Sequence, residues 1–196
     1  SKYPTIFLFT HDSIGLGEDG PTHQPVETLT AMRCLPNLLV MRPADANETT
    51  YMWKYILENR DRPVATALTR QGIPVLDRAK AANFEKGAYV VAADDNPQVL
   101  LLATGSEVSL ALEARERLAA DGITSQVVSM PCWKLFEEQD ETYKESVIPS
   151  SVKARVGVEA GIRMGWDQWI GDKGKFVGMT TFGASGPWKV CWSTIG

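Results

Sequence analysis

The chain has 196 residues, 44% of them hydrophobic and 22% charged, and its formal net charge at pH 7 is −4. This length allows one large domain or two small ones, each with a sizeable core. The weak negative charge gives no reason to expect nucleic acid or an anionic membrane as a partner. No apolar run approaches the roughly 20 residues that a membrane-spanning helix needs, and the N-terminus shows no signal-peptide pattern.

Three cysteines, Cys34, Cys132 and Cys191, are spaced widely along the chain. Their odd number and the absence of a C-x-x-C motif argue against a disulfide framework and against a zinc knuckle. These features favour a reducing, intracellular compartment. Each cysteine is expected to be a small buried apolar residue.

Residues 10–25, named here the signature loop, hold both histidines of the chain, His11 and His23, among closely spaced glycines and prolines. The apolar run over 6–9 predicts a buried strand before the loop. The loop would therefore leave the carboxyl end of a strand, where α/β sheets bind their ligands. The alternative is a polar surface turn with solvated histidines. Loops of this length without secondary structure are usually functional or disordered. The closely spaced glycines and prolines argue against disorder, so a functional loop is favoured.

A G-x-G-x-x-G pattern occurs at positions 15–20, and Asp45 lies near the distance that a dinucleotide-binding motif requires. Its context does not fit, because residues 11–14 separate the glycines from the strand. Glu18 and Asp19 would also repel a diphosphate group at that point. We therefore reject a dinucleotide site.

The signature loop is followed by an alternation of strands and helices that predicts a parallel sheet. Asp45 and Glu48 are predicted to form a capping box. The predicted elements are a helix over 24–35, a strand over 38–41, a helix from 46 to about 59 and a strand over 63–68.

The segment 69–71 directly follows the strand predicted over 63–68, so Arg70 lies at the same sheet edge as the signature loop. Its planar guanidinium suits a phosphate group, but a solvated surface arginine is an equal alternative from position alone.

Residues 73–96 are predicted to be an interdomain linker with some local structure, because glycines, prolines and charges interrupt them. A second α/β unit follows, and its predicted elements are a strand over 99–103, a capping box over 104–107 that opens a helix, a strand over 125–130, a solvated helical segment over 133–145, a strand over 154–160, a helix over 161–170 and a strand over 176–180.

Three positions of this second unit leave alternatives open. The turn at 104–106 could bind an anion, although simple helix capping is favoured. Glu159 ends a predicted strand, and the sequence does not separate a general base from an interface residue. Trp166 and Trp169 lie three residues apart on a predicted helix, which favours core or interface packing over ligand stacking.

The string HDSIGLGEDGPTHQP at 11–25 resembles the signature of transketolases. The resemblance covers almost the whole chain and includes the strings ATGSEV and VEAG in the second unit. Deoxyxylulose-phosphate synthases share only the part around DGPTH, whereas dihydroxyacetone synthases share nearly all of it. A dihydroxyacetone synthase of the same superfamily is therefore an alternative.

The resemblance implies an α/β fold of two successive three-layer units with mostly parallel sheets, the first incomplete at its N-terminus. Residues 1–72 would be the second half of a pyrimidine-binding domain, 73–96 the linker, and 97–196 a C-terminal domain with a truncated or altered end. Residues 186–196 depart from the family, in which a helical pattern leading to a final long helix is expected.

The resemblance also implies an enzyme that moves a two-carbon ketol unit from a ketose phosphate to an aldose phosphate, as in the pentose phosphate pathway or the Calvin cycle. It would need thiamine diphosphate and magnesium or another divalent cation, bound mainly by an N-terminal part upstream of this sequence. A homodimer with its active site at the subunit interface is expected, in the cytoplasm or, for a plant or algal source, in a plastid. The isolated chain is expected to be inactive, and a non-catalytic fragment that folds, dimerises or binds a partner is the alternative.

The same resemblance assigns four site residues. His11 and Arg70 would hold the sugar phosphate, and Asp19 would accept a hydrogen bond from a substrate hydroxyl near C2. His23 would contact substrate and cofactor and act as the catalytic residue that polarises oxygen and helps protons move. No metal ligand is expected here, because the spacing of the two histidines is not one that zinc sites use.

Overall fold

The computed structural model describes residues 2–195, apart from the side chains of Arg78, Thr194 and Ile195. Two β-sheets flanked by helices confirm the α/β class and the two successive units. The first sheet is fully parallel, with the strand order β1-β3-β2. Its strands are β1 (Ile6–Thr10), β2 (Leu39–Met41) and β3 (Val64–Leu68).

Helices cover both faces of the first sheet, α1 (Thr28–Arg33) on one and α2 (Ala46–Glu58) on the other. Successive strand residues point to opposite faces, so Leu39 packs with α2 while Val40 packs with α1. Asp45 caps α2 as predicted, since its carboxylate accepts a hydrogen bond from the Glu48 backbone N–H at 2.7 Å.

The first strand differs from its prediction, because β1 is exposed rather than buried. It lies at the edge of the sheet, and its four apolar side chains are 41–54% exposed. A continuous apolar run is typical of a strand that is buried on both faces. It does not show whether other elements of the chain cover those faces. Phe7 and Phe9 instead stack on each other, with ring centroids 6.4 Å apart.

Residues 73–96, predicted as a linker, contain the short helix α3 (Arg78–Ala81) and the strand β4 (Tyr89–Ala93), which lies at the edge of the second sheet. The other strands of this sheet are β5 (Val99–Ala103), β6 (Ser125–Ser129), β7 (Ala154–Val158) and β8 (Lys175–Val177). The five strands lie in the order β4-β6-β5-β7-β8, and β4 is antiparallel to β6.

Five helices complete the second unit: α4 (Glu107–Ala120), α5 (Trp133–Glu137), α6 (Glu141–Val147), α7 (Asp167–Ile170) and α8 (Trp188–Ile195). One face of the sheet packs against α4, and the other packs against Trp133, Phe136 and Trp166. Trp166 is fully buried, as predicted for a core residue. None of the helices within residues 2–195 is long and apolar enough to cross a membrane.

Two further predictions about this packing are wrong. The segment over 133–145 is helical as predicted, in α5 and α6, but it is not solvated throughout, because α5 buries Trp133, Leu135 and Phe136. Cys34 is exposed, whereas Cys132 and Cys191 are buried, and all three are free thiols. Cys34 follows α1 directly, outside the packed face of that helix.

The parallel strands of the two sheets direct their carboxyl ends toward a common boundary. Arg42 follows β2, and its backbone N–H donates to the carbonyl of Pro131, which lies just beyond β6. The Arg42 carbonyl accepts a hydrogen bond from Gly105, just beyond β5. Ligands bind at such strand ends in α/β proteins, so this boundary is where the site is expected.

Candidate functional site

The signature loop is ordered by two 3₁₀ turns, Ile14–Leu16 and Pro21–His23. Gly17 ends the first turn and Gly20 precedes the second. Their φ angles of 85° and 79° lie in the left-handed region, which favours glycine. Two short turns with fixed backbone geometry therefore make up much of the loop.

Gln24 fastens the loop to the second unit. Its side-chain amide is buried and donates to the carbonyls of Gly17 at 2.8 Å and Ala184 at 3.1 Å. Gly183 makes room for it, because a methyl group at that position would overlap the Gln24 amide. The predicted helix over 24–35 is therefore too long: Gln24 belongs to the loop, and α1 begins only at Thr28.

His11 is held in a left-handed backbone conformation with a φ of 64°. Its Nδ1 lies 2.7 Å from the Thr10 hydroxyl, so this ring nitrogen is engaged locally. The half-buried side chain lines a cavity of about 150 Å³, together with Leu29 and Met32 of α1.

His23 and Asp19 lie in the second half of the signature loop, and both are exposed. The Nδ1 atom of His23 lies 2.8 Å from the Thr22 hydroxyl, and the part of the chain that the structure describes offers no partner for its Nε2. The same is true of the Asp19 carboxylate. Both groups are therefore accessible to a ligand.

Arg70 is also exposed, and it lies at the same sheet edge as His11. Thr10 and Leu68 are directly paired in the parallel ladder of β1 and β3, so His11 and Thr69 follow neighbouring strand ends. The Gln71 amide lies against Gly15, where a methyl group would overlap it. The loop that carries Arg70 thus packs on the signature loop, although no hydrogen bond or ion pair joins Arg70, His11, Asp19 and His23 within residues 2–195.

A buried ion-pair network, which the sequence patterns do not predict, joins the signature loop to the second unit. Arg42 donates from Nε to Asp12 at 2.8 Å and from Nη1 to Thr104 Oγ1 at 3.0 Å, and it pairs with Glu107. The capping box predicted over 104–107 is therefore wrong, because Thr104 and Glu107 bind Arg42, and Ser106 makes no side-chain cap. An arginine directly after a buried strand was the available signal.

Glu159 forms the second part of the network. Its carboxylate accepts two hydrogen bonds from Arg33, at 2.6 and 2.8 Å, one from Thr104 at 2.7 Å and one from Trp166 Nε1 at 2.9 Å. Burial alone would raise the pKa of Glu159, but the charge and hydrogen bonds of Arg33, helped by Arg42, lower it to about 2. These contacts make Glu159 an ionised interface residue rather than a general base.

Three carboxylates share two guanidinium groups in this network, as Asp12, Glu107 and Glu159 face Arg33 and Arg42. Burial raises the pKa of Glu107, although the neighbouring Arg42 opposes the rise. Burial would lower the pKa of Arg42, but Glu107 and Asp12 raise it above its usual value. Arg42 is therefore permanently charged.

Glu48 is a separate buried carboxyl group that also joins the two units. It accepts hydrogen bonds from Ser129 Oγ at 2.5 Å, Tyr89 Oη at 2.6 Å and the Ala44 N–H at 2.6 Å. Burial raises the pKa of Glu48 from 4.5 to about 7, although the three donors favour the carboxylate.

We predict that Glu48→Gln removes a pH dependence of stability. Because the pKa of Glu48 is raised in the folded state, its carboxyl group contributes fully to stability below pH 4.5. This contribution is lost as the pH rises through about 7. The loss amounts to about 3 kcal/mol of the free energy of unfolding. A glutamine amide can donate to the two hydroxyl oxygens and accept from Ala44, so the variant should lack this decline. Urea unfolding at pH 4.5, 5.5 and 7 measures it.

Glu145→Gln is the matched control, since its carboxyl group has a lowered pKa owing to hydrogen bonds from Ser150. It should leave the wild-type slope between pH 4.5 and 7 unchanged. If the free energy of unfolding declined equally in Glu48→Gln and wild type between pH 4.5 and 7, groups other than Glu48 would cause the decline.

No group of three or more His, Cys, Asp or Glu side chains within the described part of the chain is arranged to hold a metal ion. The four predicted site residues offer a ligand two imidazoles, one guanidinium and one carboxylate. Such groups suit hydroxyl and phosphate oxygens, but they do not form a cradle for a diphosphate with its cation.

Models of known protein families match both units of the chain. The model of the transketolase pyrimidine-binding domain matches residues 1–75, and that of the transketolase-like C-terminal domain matches residues 87–196. The transketolase of Geobacillus stearothermophilus is 49% identical over 189 residues, and the chloroplastic transketolase of Solanum tuberosum is 49% identical over 190 residues. These alignments cover 94% and 95% of this chain.

A transketolase structure from Pichia stipitis, in complex with sedoheptulose 7-phosphate, superposes with a TM-score of 0.91 at 43% identity. It matches 98% of this chain but only 28% of its own length. The chain likewise spans 28% of the Geobacillus protein and 26% of the Solanum protein.

Proposed function

We propose that this chain, which belongs to the transketolase family, forms part of a thiamine-diphosphate-dependent enzyme that transfers a two-carbon ketol unit from a ketose phosphate to an aldose phosphate. The observation that carries the proposal is the placement of His11 and Arg70 after neighbouring strand ends, with the Gln71 amide packed on Gly15. The bound sugar phosphate of the Pichia structure supports the same substrate class. The enzyme would act in the pentose phosphate pathway or the Calvin cycle.

Each of the four predicted site residues has a role in this proposal. His11 and Arg70 bind the phosphate group of the sugar, for which the arginine fork is suited. Asp19 accepts a hydrogen bond from the substrate hydroxyl near C2. His23 touches both substrate and cofactor and moves protons to and from the reacting oxygen.

Thiamine diphosphate supplies the carbon nucleophile and the electron sink that breaking and forming a carbon–carbon bond require. Within the described residues His23 is our candidate to contact it. We infer that its diphosphate group and a divalent cation, magnesium or another, are bound mainly by polypeptide outside this sequence. We also propose a homodimer with the active site at the subunit interface, in the cytoplasm or, as the Solanum relative suggests, in a plastid.

We predict that Arg70→Ala, in the holoenzyme that contains this chain, lowers kcat/KM for phosphorylated acceptors by about ten- to a hundredfold. This is the factor for the 1.5–3 kcal/mol that a charge-assisted contact contributes. Unphosphorylated acceptors should be affected little. Steady-state kinetics with ribose 5-phosphate and ribose measure the difference.

Arg60→Ala is the matched control, because Arg60 is also exposed but precedes β3 and so lies at the opposite sheet edge. It should leave both rates unchanged. Equal losses for ribose and ribose 5-phosphate in Arg70→Ala would rule out the phosphate role.

A further inference from the structure

The backbone of His11 adopts a conformation that an L-residue avoids unless its neighbours enforce it. Its φ of 64° lies in the left-handed region, which is unfavourable for a residue with a Cβ atom. Thr10 precedes it and is fixed in the ladder to β3. Asp12 follows it and is 5% exposed. His11 thus lies between one residue fixed in the sheet and one buried residue.

Asp12 is held by Arg42. The Arg42 Nε atom donates to Asp12 Oδ2 at 2.8 Å, and the Ser13 hydroxyl donates to Oδ1 at 3.2 Å. Both members of the ion pair have side chains that are 1% exposed, so water does not compete for either group. A charge-assisted hydrogen bond in such surroundings is strong and directional.

Arg42 is in turn immobilised by the second unit. Its guanidinium binds Thr104 and Glu107, and its backbone is hydrogen-bonded to Gly105 and Pro131. Gly105 has a φ of 56°, and a methyl group there would lie 2.6 Å from the Arg42 Cζ atom. The second unit therefore provides both the space for the Arg42 guanidinium, at Gly105, and the oxygen atoms that accept its hydrogen bonds.

We propose that Arg42 is a positioning residue that, through Asp12, holds His11 in the conformation that binds the sugar phosphate. The second unit would thereby control the substrate loop of the first. The substrate in this statement rests on the proposed function, whereas the control of His11 by Arg42 does not.

The histidine count of the chain makes a direct test possible, because His11 and His23 are the only two imidazoles. The test compares imidazole NMR spectra of the full 196-residue chain in wild type, Asp12→Ala, Asp12→Asn and Arg42→Lys, with His23→Gln for assignment. Asp12→Ala should shift the His11 signals and leave those of His23 in place. Asp12→Asn retains an acceptor for Arg42 and should shift His11 less, and Arg42→Lys should act like Asp12→Ala.

Arg33→Lys is the matched control, because Arg33 forms the other buried arginine–carboxylate pair between the units without contacting Asp12. It should leave the His11 signals unchanged. Unchanged His11 signals in Asp12→Ala, or equal shifts of His11 and His23, would overturn the proposal. Asp12→Ala leaves two carboxylates facing two guanidinium groups, so folding should survive; if it does not, Asp12→Asn and Arg42→Lys decide by the same criterion.

A kinetic experiment tests the consequence for substrate binding. In the holoenzyme with thiamine diphosphate, Asp12→Ala should raise KM for ribose 5-phosphate about 5- to 30-fold, the factor that corresponds to 1–2 kcal/mol of backbone strain. The kcat value should change little, because a uniform binding contribution is lost. An unchanged KM would refute this consequence. An inactive wild-type enzyme would instead refute the proposed function, and the NMR experiment would still decide the role of Arg42.

Discussion

Glu159→Gln is expected to lower the free energy of unfolding by about 3–5 kcal/mol at pH 7, the cost of breaking a buried ion pair. The substitution preserves the shape of the side chain, but it leaves the Arg33 guanidinium, 11% exposed, without its counter-charge. The new amide nitrogen also faces donors in either orientation: Arg33 and Thr104 at the Oε1 position, or Arg33 and Trp166 at the Oε2 position. Urea unfolding of the full chain measures the loss.

The pH dependence gives this prediction a second signature. A carboxyl group whose pKa is lowered from 4.5 to about 2 stabilises the fold above pH 4.5 and loses that contribution as the pH falls to 2. The difference is about 3 kcal/mol by linkage. Wild type should therefore lose this much more stability than Glu159→Gln over that range.

Glu138→Gln is the matched control for burial. Glu138 also binds an arginine, Arg62, with two hydrogen bonds of 2.6 and 2.9 Å, but its side chain is 38% exposed. Its replacement should cost no more than about 1 kcal/mol, as for other solvent-exposed pairs. Similar costs for the two substitutions would mean that burial does not govern the strength of the Glu159 pair.

Gly87→Ala is expected to destabilise the chain by about 3–5 kcal/mol, because two penalties combine. Gly87 has a φ of 81°, and an added methyl group would clash with the backbone N of Phe136 and the backbone O of Cys132. It would also lie 2.8 Å from the carbonyl carbon of Leu135. All three atoms belong to the backbone around the start of α5, so no side-chain rotation can relieve the clash.

Gly122→Ala separates the two penalties. Gly122 has a similar φ of 76°, but nothing lies within 4 Å of the position of an added methyl group. The backbone penalty alone, about 1–2 kcal/mol, is expected there. Equal unfolding free energies for the two alanine variants would contradict the clash with α5.

The sequence alone determined the features whose causes are local. The alternation of apolar runs with helical patterns gave both units and the parallel pairing of β1, β2 and β3. Asp45 could be identified as a cap because a helix N-cap and its partner N–H lie within one turn. The signature loop was recognised because its residue types and order are themselves distinctive.

Predictions from the sequence are wrong where residues are neighbours only through the fold. Gln24 was assigned to a helix, but Ala184, 160 residues away, fixes it in the loop. Thr104 and Glu107 look like a cap in isolation, yet Arg42, more than 60 residues earlier, takes both side chains. A buried guanidinium outweighs a helix cap, because leaving its charge unpaired costs more than the roughly 1 kcal/mol that a cap contributes.

The roles of His11, Asp19, His23 and Arg70 remain predictions of the resemblance, and only their placement is a result of the structure. The sequence placed His11 and Arg70 at one sheet edge, because parallel strands end on the same side. Only the tertiary structure revealed the left-handed backbone of His11 and the ion pair that its neighbour Asp12 forms with Arg42. Backbone strain and ion pairing across a domain boundary depend on contacts between distant segments, and local patterning carries no record of them.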